Sequence, residues 1–303
     1  MTFWDRVYEK YVQLGRFLDS LRSLPPEGIA EIRFPHRRAL RFKLFVPTSP
    51  GAGRELYLHH RREPFSTVVF HSMLYHYYQY SVVYEIGANL GYYLIPEVVL
   101  SRYVYAYEPQ SQLTDYIVES IDLNGLSTDN LSLFDYAVWP GGGTVRMDIP
   151  ERHNFARVSD SGSVEVPAVD PSELPEPSGD AVFLRMDIEG GEEKVLLPLV
   201  NRFRPAYVFV EVHPNIIGPD KAYRLVSRLD ELFGYWILPI FEPLPETLDL
   251  PFYDVVYKHA RIGPVSYLRT IFHRGWVVHI HAFRWRDDFE YVRQVLSRVG
   301  YRV

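Results

Sequence analysis

Between Ser81 and Val212 the apolar residues fall into short unbroken runs separated by stretches of helical length. A strand with one wet face would alternate, so unbroken runs read as strands buried on both faces, as in a parallel sheet. The runs are Val82-Val83-Tyr84, Val104 to Tyr107, Leu131 to Phe134, Val182 to Met186 and Tyr207 to Val210. Strands alternating with helices in this way predict an α/β fold with a mainly parallel sheet and helices on both faces.

The flanks follow other periods. Phe3, Val7, Val12, Leu14, Leu18 and Leu21 recur at helical spacing until Pro25-Pro26, which predicts one or two amphipathic helices over Met1 to Leu24. Short apolar stretches broken by Pro47, Pro50, Gly51 and Gly53 predict a small hairpin-like element over Ala30 to Leu58. After Glu211 the pattern predicts a helix over Asp220 to Phe233 and a strand over Tyr235 to Phe241, then a break at Pro243, Pro245 and Pro251. Strands over Phe252 to Tyr257 and Trp276 to Trp285, a helix over Asp287 to Val299 and a terminal strand over Tyr301 to Val303 follow.

Each of the five runs ends directly on a carboxylate: Glu85, Glu108, Asp135, Asp187 and Glu211. Acidic residues fill 38 of 303 positions, so chance alone would place one there about once in eight. In open parallel sheets ligands bind at the carboxyl ends of the strands, beside the reversal of strand order. A carboxylate rim there suits hydroxyls, amines or positive charge and repels phosphates. The competing reading is that individual acids cap the helices that follow.

Composition narrows the chemistry. The net charge of -6 gives no global field for a phosphate backbone, so nucleic acid is a disfavoured partner. With no cysteine, disulfides, iron-sulfur clusters and thiol nucleophiles are excluded. The 32 basic residues include only 5 Lys, and Asn plus Gln total 11, a thermophile-like bias that GC-rich coding explains equally well. No apolar segment of signal or membrane-spanning length occurs, so a soluble cytoplasmic protein is expected.

The first strand runs into Glu85-Ile86-Gly87-Ala88-Asn89-Leu90-Gly91, a glycine turn that lets a ligand lie against the backbone. It is not the dinucleotide fingerprint, which needs glycine where Asn89 stands to admit a pyrophosphate. Glu108 follows Gly91 by 17 residues, near the spacing of an acid that binds ribose hydroxyls. A nucleoside without phosphate that carries positive charge describes S-adenosylmethionine. Its sulfonium and amino groups would face Glu85 and Asp187, its ribose Glu108, and its adenine the segment Asp135-Tyr136-Ala137.

These segments, with Ala106-Tyr107-Glu108-Pro109, Asn124-Gly125-Leu126, Gly143-Thr144-Val145, Arg185-Met186-Asp187-Ile188-Glu189-Gly190-Gly191-Glu192 and Val210-Glu211-Val212-His213-Pro214, resemble the FkbM-type S-adenosylmethionine-dependent methyltransferases over about Val82 to Pro214. The resemblance implies a Rossmann-like class I fold over 80–241, with an accessory region over 1–79 and an extension over 242–303 that completes the sheet or shapes the substrate site. It implies cofactor-binding positions at Glu85, Gly87, Ala88, Asn89, Gly91, Glu108, Pro109, Asp135, Tyr136, Ala137 and Asp187. The chain departs from the family pattern at Glu85, where Asp is commoner, at Gly191, where Ala is usual, and at Pro96, which should bend the first helix.

Family members of this kind methylate hydroxyls, which need a base or a metal because an alcohol is a poor nucleophile. His213 is the candidate base, with Glu211 two residues earlier to hold its ring; the competing reading is a histidine bonded to backbone at a strand end. Asp187 and Glu189 would lie near the methyl group or hold the acceptor hydroxyl, although Glu189 also suits a helix start. No metal is assigned; Asp187, Glu211 and His213 would be its oxygen-rich ligands in the alternative. His279 and His281 share a strand face and read as structural. The expected activity is O-methylation of a small molecule or glycan. Methylation of RNA or protein, and a non-catalytic cofactor-binding module, are the rivals.

Overall fold

The computed structural model describes residues 22–34, 41–150, 155–179, 181–239, 255–258 and 265–301. The helices expected before Leu24, most of the proline-rich break and the end of the terminal strand lie outside these residues.

Strands β1 (Glu27–Arg33) and β2 (Arg41–Pro47) form the antiparallel hairpin that the sequence predicts. Helices α1 (Ala52–His59) and α2 (Pro64–His76) follow. The second is buried on nearly every side from Phe65 to Leu74, so it reads as a core helix rather than an amphipathic one.

Next come β3 (Ser81–Ile86), α3 (Leu94–Leu100), β4 (Tyr103–Tyr107), α4 (Ser111–Leu123) and β5 (Leu131–Phe134). Pro96 falls in the first turn of α3, where a backbone N–H has no intrahelical partner to lose, so the bend expected there has no cause. A small four-stranded sheet, absent from the sequence reading, is inserted at this point: β6 (Ala137–Val138), β7 (Gly143–Asp148), β8 (Arg157–Val158) and β9 (Val164–Val169), in the order β6-β9-β7-β8.

The main sheet resumes with β10 (Ala181–Met186), α5 (Glu192–Phe203) and β11 (Tyr207–Val212). The chain continues through α6 (Pro214–Ile217), α7 (Pro219–Leu232), β12 (Tyr235–Pro239), β13 (Val255–Lys258), α8 (Val265–His273), β14 (Val278–Phe283) and α9 (Arg286–Arg298).

The main sheet has the order β13-β12-β14-β11-β10-β3-β4-β5. Strands β5, β4, β3, β10 and β11 are parallel, whereas β14 is antiparallel to β11 and β12. Every residue of β3 and β10 is buried, which accounts for their unbroken apolar runs. Strand order reverses between β3 and β10, so their carboxyl ends open the crevice where a ligand fits. One hydrophobic cluster fills the α2, α3 and α4 face of the sheet, and a second fills the α5 and α7 face. Among the described residues no helix is long and apolar enough to cross a membrane.

Candidate active site

A cleft of about 590 Å³ lies over the carboxyl ends of β3, β4 and β10. Gly87, Asn89, Glu108, Pro109, Tyr136, Ala137, Asp187 and Glu189, all candidate site residues of the sequence, line it. Ile188 adds an apolar wall, and Trp139, Met147 and Val158 of the small sheet close one side. Gly87 has φ +89°, and a Cβ there would lie 2.0 Å from the Asp187 carbonyl oxygen. Glycine thus lets the β3 turn sit against the β10 end and form the floor of the cleft. Asn89 and Glu189, one on each side, also adopt left-handed backbone, at φ 50°. Strain of this kind persists where surrounding contacts fix it and concentrates at ligand sites.

Glu108 is almost wholly buried. Its two oxygens accept backbone N–H groups, Asn89 at 2.9 Å and Gln110 at 3.0 Å. Burial pushes its carboxyl up to about 7 against the pull of those hydrogen bonds. The remaining lone pairs face a cleft with aromatic side chains at Tyr107, Tyr136 and Trp139. This donor set fits a ribose diol beside a base, and the acids at Asp187 and Glu189 fit a cationic centre.

The five strand-end acids do not form a uniform rim. Glu85 is fully buried and turned away from the cleft, where Arg185 Nη1 donates to it at 2.6 Å. The same nitrogen donates to the Gly87 carbonyl at 2.9 Å, and Nη2 donates to Asp187 at 3.4 Å. Glu85 therefore neutralises a guanidinium beneath the glycine turn, which corrects its expected contact with the cofactor's cation. Burial opposes charge on Arg185, but Glu85 and Asp187 hold it protonated. Asp135 is exposed and lies outside the cleft lining, so of the three residues expected at the adenine only Tyr136 and Ala137 border the cleft. Ala88 and Gly91 support the turn from behind; Gly91 packs on Ile117.

Beyond Asp187 the remaining acids converge on His213, which is buried at the end of β11. Its Nδ1–H donates to Glu192 at 2.7 Å, and its Nε2 lies 3.3 Å from Glu189, 3.4 Å from Glu211 and 4.0 Å from Asp187. The ring is thus held by Glu192, the fully buried first residue of α5, rather than by Glu211 as expected. A carboxylate at a helix start is favoured by the helix dipole. Burial opposes charge on His213, but Glu192 and Glu211 outweigh it and raise its pKa well above the usual imidazole range. Burial also raises Asp187, and it lifts Glu189 to about 7.

Two groups, His279 and Glu63, join the cluster from outside the expected set. His279 Nε2 lies 3.1 Å from Glu211. Glu63 accepts from Arg62 Nε at 2.6 Å and from the Tyr93 hydroxyl at 2.8 Å. Two triads, Asp187 with Glu211 and His213, and Glu63 with Glu211 and His279, bring ligand atoms within 4.8 Å of one another and so could hold a metal. Arg185 and Arg62 already answer an acid of each, and no metal is assigned.

Arg185 and Glu192 were readable in part. An arginine inside a fully apolar strand run must find a buried partner, and Glu192 closes an Asp-x-Glu-x-x-Glu series. Glu63 and His279 carry no such local signal. The segment Asp170-Pro171-Ser172-Glu173 is a capped 3₁₀ turn, Asp170 accepting from the Ser172 N–H and Glu173 from the Asp170 N–H.

The strand order, with one antiparallel strand between β11 and β12, and the glycine turn at the reversal point define a class I Rossmann-like methyltransferase. Residues 85–236, half of the chain, match the methyltransferase FkbM domain, and the chain belongs to that family. It is an S-adenosylmethionine-dependent methyltransferase. No curated protein sequence matches the chain. Among solved structures it is similar to M. jannaschii TYW2 in complex with AdoMet, at 14% identity over 88% of this chain and 90% of that one, TM-score 0.43. It is also similar to methyltransferase FkbM from Methylobacillus flagellatus, at 16% over 59% and 43%, TM-score 0.38. A third is a putative O-methyltransferase from Klebsiella pneumoniae, at 11% over 72% and 80%, TM-score 0.41.

Proposed function

We propose that the protein methylates a hydroxyl of a small molecule or glycan, with His213 as general base. The observation that carries this reading is the Glu192–His213 pair, whose Nε2 faces Glu189, Glu211 and Asp187 at the edge of the cofactor cleft. Because Glu192 only accepts, it fixes the ring proton on Nδ1 and leaves the Nε2 lone pair for the acceptor.

S-adenosylmethionine supplies an electrophilic methyl group on a sulfonium. Glu108 would hold its ribose, Tyr136, Ala137 and Trp139 the adenine side, and Asp187 and Glu189 its positive groups. As the acceptor oxygen takes the methyl carbon and the S–CH3 bond breaks, His213 Nε2 takes the hydroxyl proton and Glu192 stabilises the imidazolium that forms. Orientation of oxygen and methyl in line supplies the rest of the rate.

The acids around His213 favour its protonated form, so turnover depends on loss of that second ring proton. Positive charge arriving beside Asp187 and Glu189 pushes that proton off. The acid-rich cluster disfavours a phosphate-bearing acceptor, which argues against RNA.

Incubation with methyl-labelled S-adenosylmethionine and a cell extract tests the reading. Label in a small or glycan acceptor as a base-stable ether supports it; label in RNA or protein, or in nothing, overturns it. His213→Ala should slow that transfer by about 100-fold, the usual scale of a lost general base, while calorimetry finds cofactor affinity unchanged.

A further inference from the structure

Glu211 is the one acid of the cluster with an imidazole on each oxygen, His213 at Oε1 and His279 at Oε2. His279 is the direct cross-strand partner of Glu211 in the antiparallel β11–β14 pair, so their side chains share one face of the sheet. Behind His279 runs a buried hydrogen-bonded chain. Its Nδ1 lies 3.0 Å from the Ser66 hydroxyl, Ser66 lies 3.0 Å from His281 Nε2, and His281 Nδ1 meets the Tyr207 hydroxyl.

The donors set the direction of this chain. The Tyr207 hydroxyl is buried and has to donate, so His281, held neutral by its burial, accepts at Nδ1 and carries its proton on Nε2. That proton is directed at Ser66, whose own hydroxyl is within donating distance of His279 Nδ1. The His279 proton is left on Nε2, directed at Glu211. The opposite order would leave the Tyr207 proton without an acceptor and set an Nε2 lone pair against a carboxylate. The rings cannot turn away, because His281 stacks on Phe209 at 4.3 Å and His279 meets the same ring edge-on at 5.6 Å.

We propose that His279 and Ser66 are positioning residues of the methyl-transfer site, holding the Glu211 carboxylate against His213. Ser66 stands on α2 and His279 on β14, both outside the 85–236 family match, so the two ends of the chain complete the site. Burial alone would raise the Glu211 carboxyl; the positive charge of His279 when protonated and the hydrogen bonds from His213 and His279 pull it the other way. The other charged groups around it are Glu63 and Arg62 ahead of α2, Asp187 and Glu189 after β10, and Glu192 of α5. The inference rests on the reading of His213 as base.

The test is a carboxyl 13C titration of glutamate-labelled full-length protein, which needs no acceptor. In the wild type the Glu211 signal, assigned through Glu211→Gln, should titrate below the ordinary glutamate range. His279→Ala should raise its pKa by at least about one unit, a tenfold change in proton affinity, and His279→Gln, whose amide can donate, should restore most of it. Ser66→Ala should give a smaller shift of the same sign. Label transfer from S-adenosylmethionine into the extract should fall about tenfold in His279→Ala and recover in His279→Gln, with cofactor affinity constant. An unmoved Glu211 titration in a folded His279→Ala protein, or His279→Gln as defective as His279→Ala, overturns the proposal. A shifted titration together with full activity of His213→Ala overturns the base assignment and leaves the His279–Glu211 link standing.

Discussion

On the proposed role of Glu108 at the ribose, a carboxylate that binds best when charged yet is nearly buried makes cofactor affinity depend on pH. Glu108 has its pKa raised by burial to about 7. Because the folded value lies above the ordinary 4.5, Glu108 stabilises the unliganded fold below about pH 4.5, and this stabilisation is lost as pH rises through about 7. Cofactor binding runs the other way, since the ionised form is the better acceptor. Calorimetry should find S-adenosylmethionine affinity rising with pH and levelling off above about pH 7, with a loss of up to tenfold per unit below it. Glu108→Gln should bind more weakly and with a flat profile; a sloping profile in that variant would assign the dependence to another group. Arg185 makes a second case at this scale. Removing the cation from a buried pair leaves an uncompensated charge, so Arg185→Met should cost about 3–5 kcal/mol in denaturant unfolding. Adding Glu85→Gln to it should recover part of that loss.

The β3–α3 turn and the β10–α5 turn interlock, and neither has its shape alone. Gly87 accepts the Asp187 carbonyl where a Cβ would stand, and Arg185 stitches the same two segments from below. Gly87→Ala therefore combines a backbone clash with a left-handed φ of +89°. We expect a loss of at least about 2 kcal/mol, read as a lower Tm, together with weakened cofactor binding. Gly141→Ala, at the same φ but with open space around it, should lose only about 1 kcal/mol and leave binding intact. Equal losses at the two positions would show that conformation, and not the close approach to Asp187, governs the turn.

For the whole molecule the telling element is β14. It lies between β11 and β12, so the carboxyl-terminal residues belong to the middle of the sheet rather than to an appendage. Truncation after residue 264 would remove α8, β14 and α9, bare the edges of β11 and β12 and expose the cluster to which Leu268, Ile280 and Ala282 belong. Such edges pair with other chains, and we expect a truncated protein that aggregates and fails to bind S-adenosylmethionine by calorimetry. A soluble, cofactor-binding truncation would mean that the parallel strands close their core unaided.

What the sequence determined by itself was local: apolar runs, unbroken or interrupted once, marked β3, β4, β5, β10 and β11, because strands largely covered on both faces tolerate little polar alternation. The glycine turn and the spacing to Glu108 marked the cofactor cleft for the same kind of reason, since tight turns and close ligand approach restrict residue type position by position. Tertiary structure decided what each acid does. Glu85, Glu108, Asp135, Asp187 and Glu211 look alike at their strand ends. One answers a buried arginine, one is desolvated beside two amides, one is exposed, and two meet histidines. The role of a charge depends on its burial and on partners distant in the chain, such as Arg185 for Glu85 and His279 for Glu211. No run of neighbouring residues records either.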